Sequence, residues 1–87
     1  MDKFVCLDLA YRAAEVGGTL PAVLSAANEV AVEAFLAKRL RFPHIVEVIE
    51  RTMETHEVVS GPTLNNVLEA DGWARHEAAG LIAQKQA

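Results

Sequence analysis

The chain has 87 residues, 52% of them apolar, and a net charge of −4 with acids and bases interspersed. That length allows one small domain spanning residues 1–87, and that apolar share excludes a disordered tail. The missing basic face argues against nucleic-acid binding, and no apolar run approaches the roughly 18 residues that a membrane span needs.

A domain of this size has about 4 to 13 kcal/mol of stability to draw on. The start, MDKFVCLDLA, has no cleavage-site pattern. The single cysteine, Cys6, has no internal partner for a disulfide. A cytoplasmic protein, or a piece of one, is expected.

Helical periodicity predicts four segments and no strand. The first is expected at about 3–16, with Leu7, Ala10, Tyr11 and Ala14 on one face, and Gly17-Gly18 ends it. The second is expected at about 20–38, with Thr19 as N-cap and Pro21 in the first turn. Val23, Leu24, Ala27, Val30, Ala31, Ala34 and Phe35 form its broad apolar face. Ser25, Glu29 and Glu33 form a narrow polar arc, into which Val32 and Leu36 intrude. A helix with so little polar surface belongs at the centre of a bundle or against another domain.

The third segment is expected at about 43–55 with Pro43 in its first turn. Ile45, Val48, Ile49 and Met53 face inward, and Glu47 and Arg51 are spaced to pair. HEVVSGP is the clearest loop, because Ser-Gly-Pro does not continue a helix. The last segment is expected at about 63–85, starting near Thr63. It has a weaker stripe of Val67, Leu68, Ala74, Ala78 and Leu81, and Gly72 is a potential kink. Four helices with short connections predict an all-α fold, a small antiparallel four-helix bundle.

Little in the chain points to chemistry. His44 and Glu47 share a face at metal-site spacing, but the further inward carboxylates and histidines of such a site are missing, and His56 and His76 have no matching spacing. A solvated face is the better reading. Cys6 has no histidine nearby to act as base and reads as a buried free thiol. Gly17-Gly18 lacks the further glycines and lysine of a phosphate loop. Asn28-Glu29 is the best polar pair. Asn28 sits at the edge of the apolar face, where a structural or domain-contact role outweighs catalysis and where its amide needs a hydrogen-bond partner. Trp73 reads as a half-buried packing residue. No catalytic, cofactor-binding or metal residue is assigned.

The stretch CLDLAYRAAEVGGTLPAVLSAANEVAVEAFLAKRLRFPHIVEVIE resembles the C-terminal helical domain of the 1-deoxy-D-xylulose 5-phosphate reductoisomerase family. The likeness is carried by Cys6-Leu7-Asp8-Leu9-Ala10, Gly17-Gly18, Pro21, Ala26-Ala27-Asn28-Glu29-Val30-Ala31-Val32 and Ala34-Phe35-Leu36. Phe42, Ile45 and Ile49 extend it, and NNVLEADGWAR continues it through Val67, Leu68, Asp71, Ala74 and Arg75. Ser25 departs from the family's Asn, Leu20 from its Ala, and Gly72-Trp73 from its small or charged pair.

The resemblance implies a parent enzyme that converts 1-deoxy-D-xylulose 5-phosphate to 2-C-methyl-D-erythritol 4-phosphate in non-mevalonate isoprenoid biosynthesis. It implies NADPH and Mg²⁺ or Mn²⁺ as cofactors of the parent, bound by a Rossmann-type domain and a catalytic domain that precede this segment. No catalytic or metal residue is carried over. The expected role of the domain is to pack on and support the catalytic part, with Asn28, Val32 and Leu36 as contact residues. Taken alone, it is expected to self-associate, with helix exchange across Ser60-Gly61-Pro62 as one route. The alternative is a free-standing helical protein-interaction module.

Overall fold

The structure is a computed structural model that describes the backbone of residues 3–86 and the side-chain surroundings of residues 8–85. Four helices follow one another: α1 (Lys3–Val16), α2 (Leu20–Leu36), α3 (Phe42–Thr55) and α4 (Leu64–Gln86). Among the described residues there is no strand, so the expected all-α four-helix bundle is what forms. The body measures 36 × 25 × 18 Å, and its short axis matches two layers of helices.

The packing centres on α2, which touches α1, α3 and α4, most extensively α4. Its buried face is Leu20, Val23, Ala26, Ala27, Ala31 and Ala34. Ala70, Ala74, Ala78 and Ile82 of α4 are buried at intervals of four. Small side chains on both helices let their axes approach closely, since interaxial distance follows the residues at the contact. α3 adds Ile45, Val46, Val48, Ile49, Thr52 and Met53. One continuous core results.

The helix ends follow from local chemistry. α2 stops at Leu36, two residues short of the expected end, because Lys38 takes a left-handed φ of 63°. Arg39 N–H then donates to Ala34 O and Lys38 N–H to Phe35 O, which closes the helix with a Schellman-type turn. α4 opens on a reciprocal cap: Asn66 N–H donates to Thr63 Oγ1 at 3.1 Å and Thr63 N–H to Asn66 Oδ1 at 3.0 Å. Gly72 does not split α4, which runs unbroken to Gln86.

Two expected faces are rotated. Among the described residues of α1, Leu9 and Ala13 are buried, while Ala10, Tyr11 and Ala14 are exposed. α1 is apolar on two adjoining stripes, and contact with α2 selects one of them. The burial of Cys6 and Leu7 lies outside the described residues. On α4 the face runs through Ala70 and Ile82, leaving Leu68 exposed and Leu81 half-buried. The expected Glu47–Arg51 pair is not formed. Glu47 instead accepts from Lys85 Nζ across the α3–α4 seam, and this bond holds its carboxyl below the usual range.

Candidate domain-docking surface

At about 100° per residue, the surface of α2 divides into three arcs. One is the buried face. A second carries Glu29 and Glu33, and Glu29 pairs with Arg75 of α4 at 3.3 Å. The guanidinium also binds Asp71 at 2.9 Å, and these carboxylates raise its pKa, Asp71 foremost. The third arc, about 120° wide, holds Pro21, Ser25, Asn28, Val32, Phe35 and Leu36, all exposed. It contains no charged residue.

The three residues expected at a domain contact, Asn28, Val32 and Leu36, stand four apart on this arc. They form one ridge. Leu36 is 73% exposed and Val32 36%. The amide of Asn28 makes no side-chain hydrogen bond among the described residues, where an internal partner was expected; it reaches solvent instead. Towards the end of the helix, the ring of Phe35 meets Phe42 edge-on at 5.6 Å, and Phe42 is itself 46% exposed. The apolar strip therefore continues onto the start of α3.

Beside Asn28 the strip deepens into a cleft of about 320 Å³ lined by Leu9, Pro21, Leu24, Ser25, Asn28 and Ile49. Three helices build it: α1 supplies Leu9, α3 supplies Ile49, and α2 supplies the rest. Periodicity within one helix shows Val32 and Leu36 as oddities. It does not show the cleft, because Leu9 and Ile49 are far from Asn28 in sequence.

A second cleft, about 420 Å³, lies between the loop 56–63 and α4 and is lined by His56, Glu57, Val59, Glu69, Trp73 and Glu77 among others. Its wall is a latch that the sequence does not reveal. Thr19 is fully buried, and its backbone is helical rather than the extended form of a capping residue. Its hydroxyl makes no cap. It accepts from Val59 N–H at 3.0 Å and lies 2.7 Å from His56 Nε2. Thr19 N–H donates to Val59 O at 3.1 Å. With Val59 N–H on one lone pair, the hydroxyl keeps a second lone pair and its hydrogen for the imidazole, and the direction of that bond follows the ring's tautomer. The imidazole packs against Trp73, ring centres 5.0 Å apart. Trp73 itself is half-buried against the core, as expected. Burial lowers the His56 pKa, with Glu57 opposing.

Among the described residues, no three His, Cys, Asp or Glu side chains converge on a position that would hold an ion. No described helix is long and apolar enough to cross a membrane.

Residues 1–77 match the family model of the DXP reductoisomerase C-terminal domain. The chain is 52% identical over 85 residues to 1-deoxy-D-xylulose 5-phosphate reductoisomerase of Synechococcus sp. (strain JA-2-3B'a(2-13)), covering 98% of this chain and 22% of that protein. It is 55% identical over 83 residues to the enzyme of the same name from Thermodesulfovibrio yellowstonii, covering 95% and 22%. Among solved structures, the reductoisomerase of Zymomonas mobilis in complex with NADPH superposes with a TM-score of 0.81 at 39% identity, over 87% of this chain and 20% of that one. The chain thus spans about a fifth of the length of these relatives. It belongs to the DXP reductoisomerase C-terminal domain family.

Proposed function

We propose that this domain is the non-catalytic C-terminal part of a longer NADPH- and divalent-metal-dependent 1-deoxy-D-xylulose 5-phosphate reductoisomerase. In this reading it packs against the preceding catalytic and Rossmann-type domains and holds them in shape. The observation that carries the reading is the uncharged, exposed arc of α2 on a domain whose relatives are about five times longer. Inter-domain contacts usually bury about 600 to 1,500 Å², and a strip running from Pro21 to Phe42 is long enough to supply one side of such a contact. Asn28, Val32 and Leu36 are its centre.

The residues present do not fit either cofactor. Gly18 packs against Val58 and Val59 of the loop 56–63 and Gly17 stands in open space, and among the described residues the acidic side chains do not converge. NADPH and Mg²⁺ or Mn²⁺ accordingly belong to the other domains, and no chemical step is assigned to this one. The free-standing interaction module is not favoured, because the relatives compared are longer reductoisomerases. Isolated from its parent, the domain exposes the strip to other copies and self-associates.

The test is Val32→Lys combined with Leu36→Lys in the longer chain. Lysine on the strip buries charge at the contact, so the domain should loosen: proteolysis before α1 speeds up, and turnover falls with NADPH affinity unchanged. Unaltered proteolysis and turnover would refute docking through this arc.

A further inference from the structure

Resting on that reading and going further, we propose that the Leu9–Asn28 cleft is the seat of one segment: the polypeptide immediately upstream of α1. It folds back over the α1–α2 groove, sets an apolar side chain into the cleft, and bonds through its backbone to Asn28. Four observations choose this occupant over a distant loop or a second copy.

The first is chemistry. Leu9, Pro21, Leu24 and Ile49 make an apolar floor, with Ser25 and Asn28 the two polar residues at its rim and no charge among the six. A carboxamide offers both a donor and an acceptor, which suits a passing backbone better than a charged side chain. The second is α1 itself, which buries only Leu9 and Ala13 among its described residues and leaves Tyr11 66% exposed. Among the described residues it makes no contact with α4. The described part of the helix is held on a narrow stripe and gains from cover on its free side.

The third is position. The family places this domain at the C-terminal end of proteins about five times longer, so the remaining chain arrives through α1. Leu9 lies about 9 Å along the axis from the start of α1. An extended chain covers about 3.3 Å per residue, so the ten residues before α1 reach the cleft after one reversal. The fourth is proximity. A segment tethered this closely has an effective concentration in the millimolar range, well above that of another copy in dilute solution.

The experiment compares Ser25→Arg with the parent in the longer chain, by hydrogen exchange read peptide by peptide. Ser25 is exposed in the domain, and arginine suits a helix, so the fold tolerates the change while the cleft mouth is blocked. The ten residues before α1 should exchange about tenfold faster, and the isolated 87-residue domain should keep its melting temperature. Unchanged exchange there overturns the proposal, as does faster exchange confined to a more distant segment. Loss of self-association in the isolated variant, with upstream exchange untouched, assigns the cleft to a second copy and also overturns it. Val32→Lys with Leu36→Lys separates the two readings: if that pair loosens the domain while Ser25→Arg leaves the upstream exchange alone, docking stands and this occupant is wrong.

Discussion

At its N-terminal end α2 begins on Thr19, fully buried and bonded through both backbone and hydroxyl to a loop some forty residues away. At its C-terminal end the same helix closes on Leu36, 73% exposed, beside Phe35 and Phe42, which meet edge-on at the surface. The inner end has every buried side-chain polar atom satisfied among the described residues. The outer end leaves apolar surface exposed among the described residues. The difference separates two kinds of requirement on one helix: the Thr19 end answers to the domain's own fold, and the Leu36 arc, in the proposed reading, answers to a contact beyond it. Changes at the first should be felt by the isolated domain, and changes at the second only where the rest of a longer chain is present.

The largest effect on the isolated domain should come from Gly18→Ala. Gly18 sits at φ +58°, and an added Cβ would lie 2.3 Å from Val59 O and 3.0 Å from a Val58 methyl. The left-handed conformation costs a residue with a Cβ about 1 to 2 kcal/mol. The contact with Val59 O adds more, because relieving it pulls away the carbonyl that accepts from Thr19 N–H, a bond worth about 1 kcal/mol. Together these give a loss of about 2 to 4 kcal/mol, a large part of what a domain this small has. Gly17→Ala is the internal control. Its φ is +69° but the space around it is open, so the conformational cost of about 1 kcal/mol stands alone. Equal losses in urea unfolding would mean that the loop does not press on Gly18.

These two glycines mark what was legible in the sequence. Gly17-Gly18, Pro21, Pro43 and Ser60-Gly61-Pro62 punctuate the chain, because backbone freedom and its loss act locally. All four helices therefore stand where periodicity and punctuation place them, within two residues. The inner face of α2 was readable through Val23, Ala27, Ala31 and Ala34, since a long helix with few polar residues admits one register. α1 and α4 were not readable to the same degree. In α1 the apolar residues cover two stripes, and in α4 the deciding face is alanine, whose weak hydrophobicity is outvoted on paper by Leu68 and Leu81. On the outer arc, Val32 and Leu36 were legible as apolar residues in a polar place. The latch and the cleft were not, because Thr19 meets His56 and Val59 only after the chain has folded, and so do Leu9, Asn28 and Ile49.

A smaller effect should appear with pH, again at the inner end. Burial lowers the folded-state pKa of His56 below the ordinary 6.5, against a weaker opposing pull from Glu57; Glu69 and Glu77 also border its cleft. The unfolded chain therefore binds a proton that the folded chain resists, and stability rises with pH across the interval between the two pKa values. The contribution is complete above about 6.5 and is lost as pH falls through the folded value. His56→Gln should flatten this part of the stability–pH profile relative to the parent. An unchanged slope in the variant would show that the latch holds whether or not the imidazole carries a proton.

The smallest effect is expected where the surface is most apolar. In the isolated domain at low concentration, Val32→Lys with Leu36→Lys should change unfolding stability by no more than about 0.5 kcal/mol, as for surface positions without internal contacts. Leu36 is 73% exposed and Val32, at 36%, lies at the rim of the surface where a lysine stem covers the same ground, and lysine is at least as good a helix former as valine. Light scattering at high concentration should nevertheless show the difference: the parent domain associates and the lysine variant stays monomeric, because two charged residues in the middle of the strip oppose its burial. A marked loss of stability in dilute solution would mean that Val32 or Leu36 packs within the domain. A parent that stays monomeric at millimolar protein would mean that the strip is too small to hold a second copy. The comparison between the two ends of α2 would then depend on the longer chain alone, where the same pair of lysines acts on a contact that tethering brings together without any need for concentration.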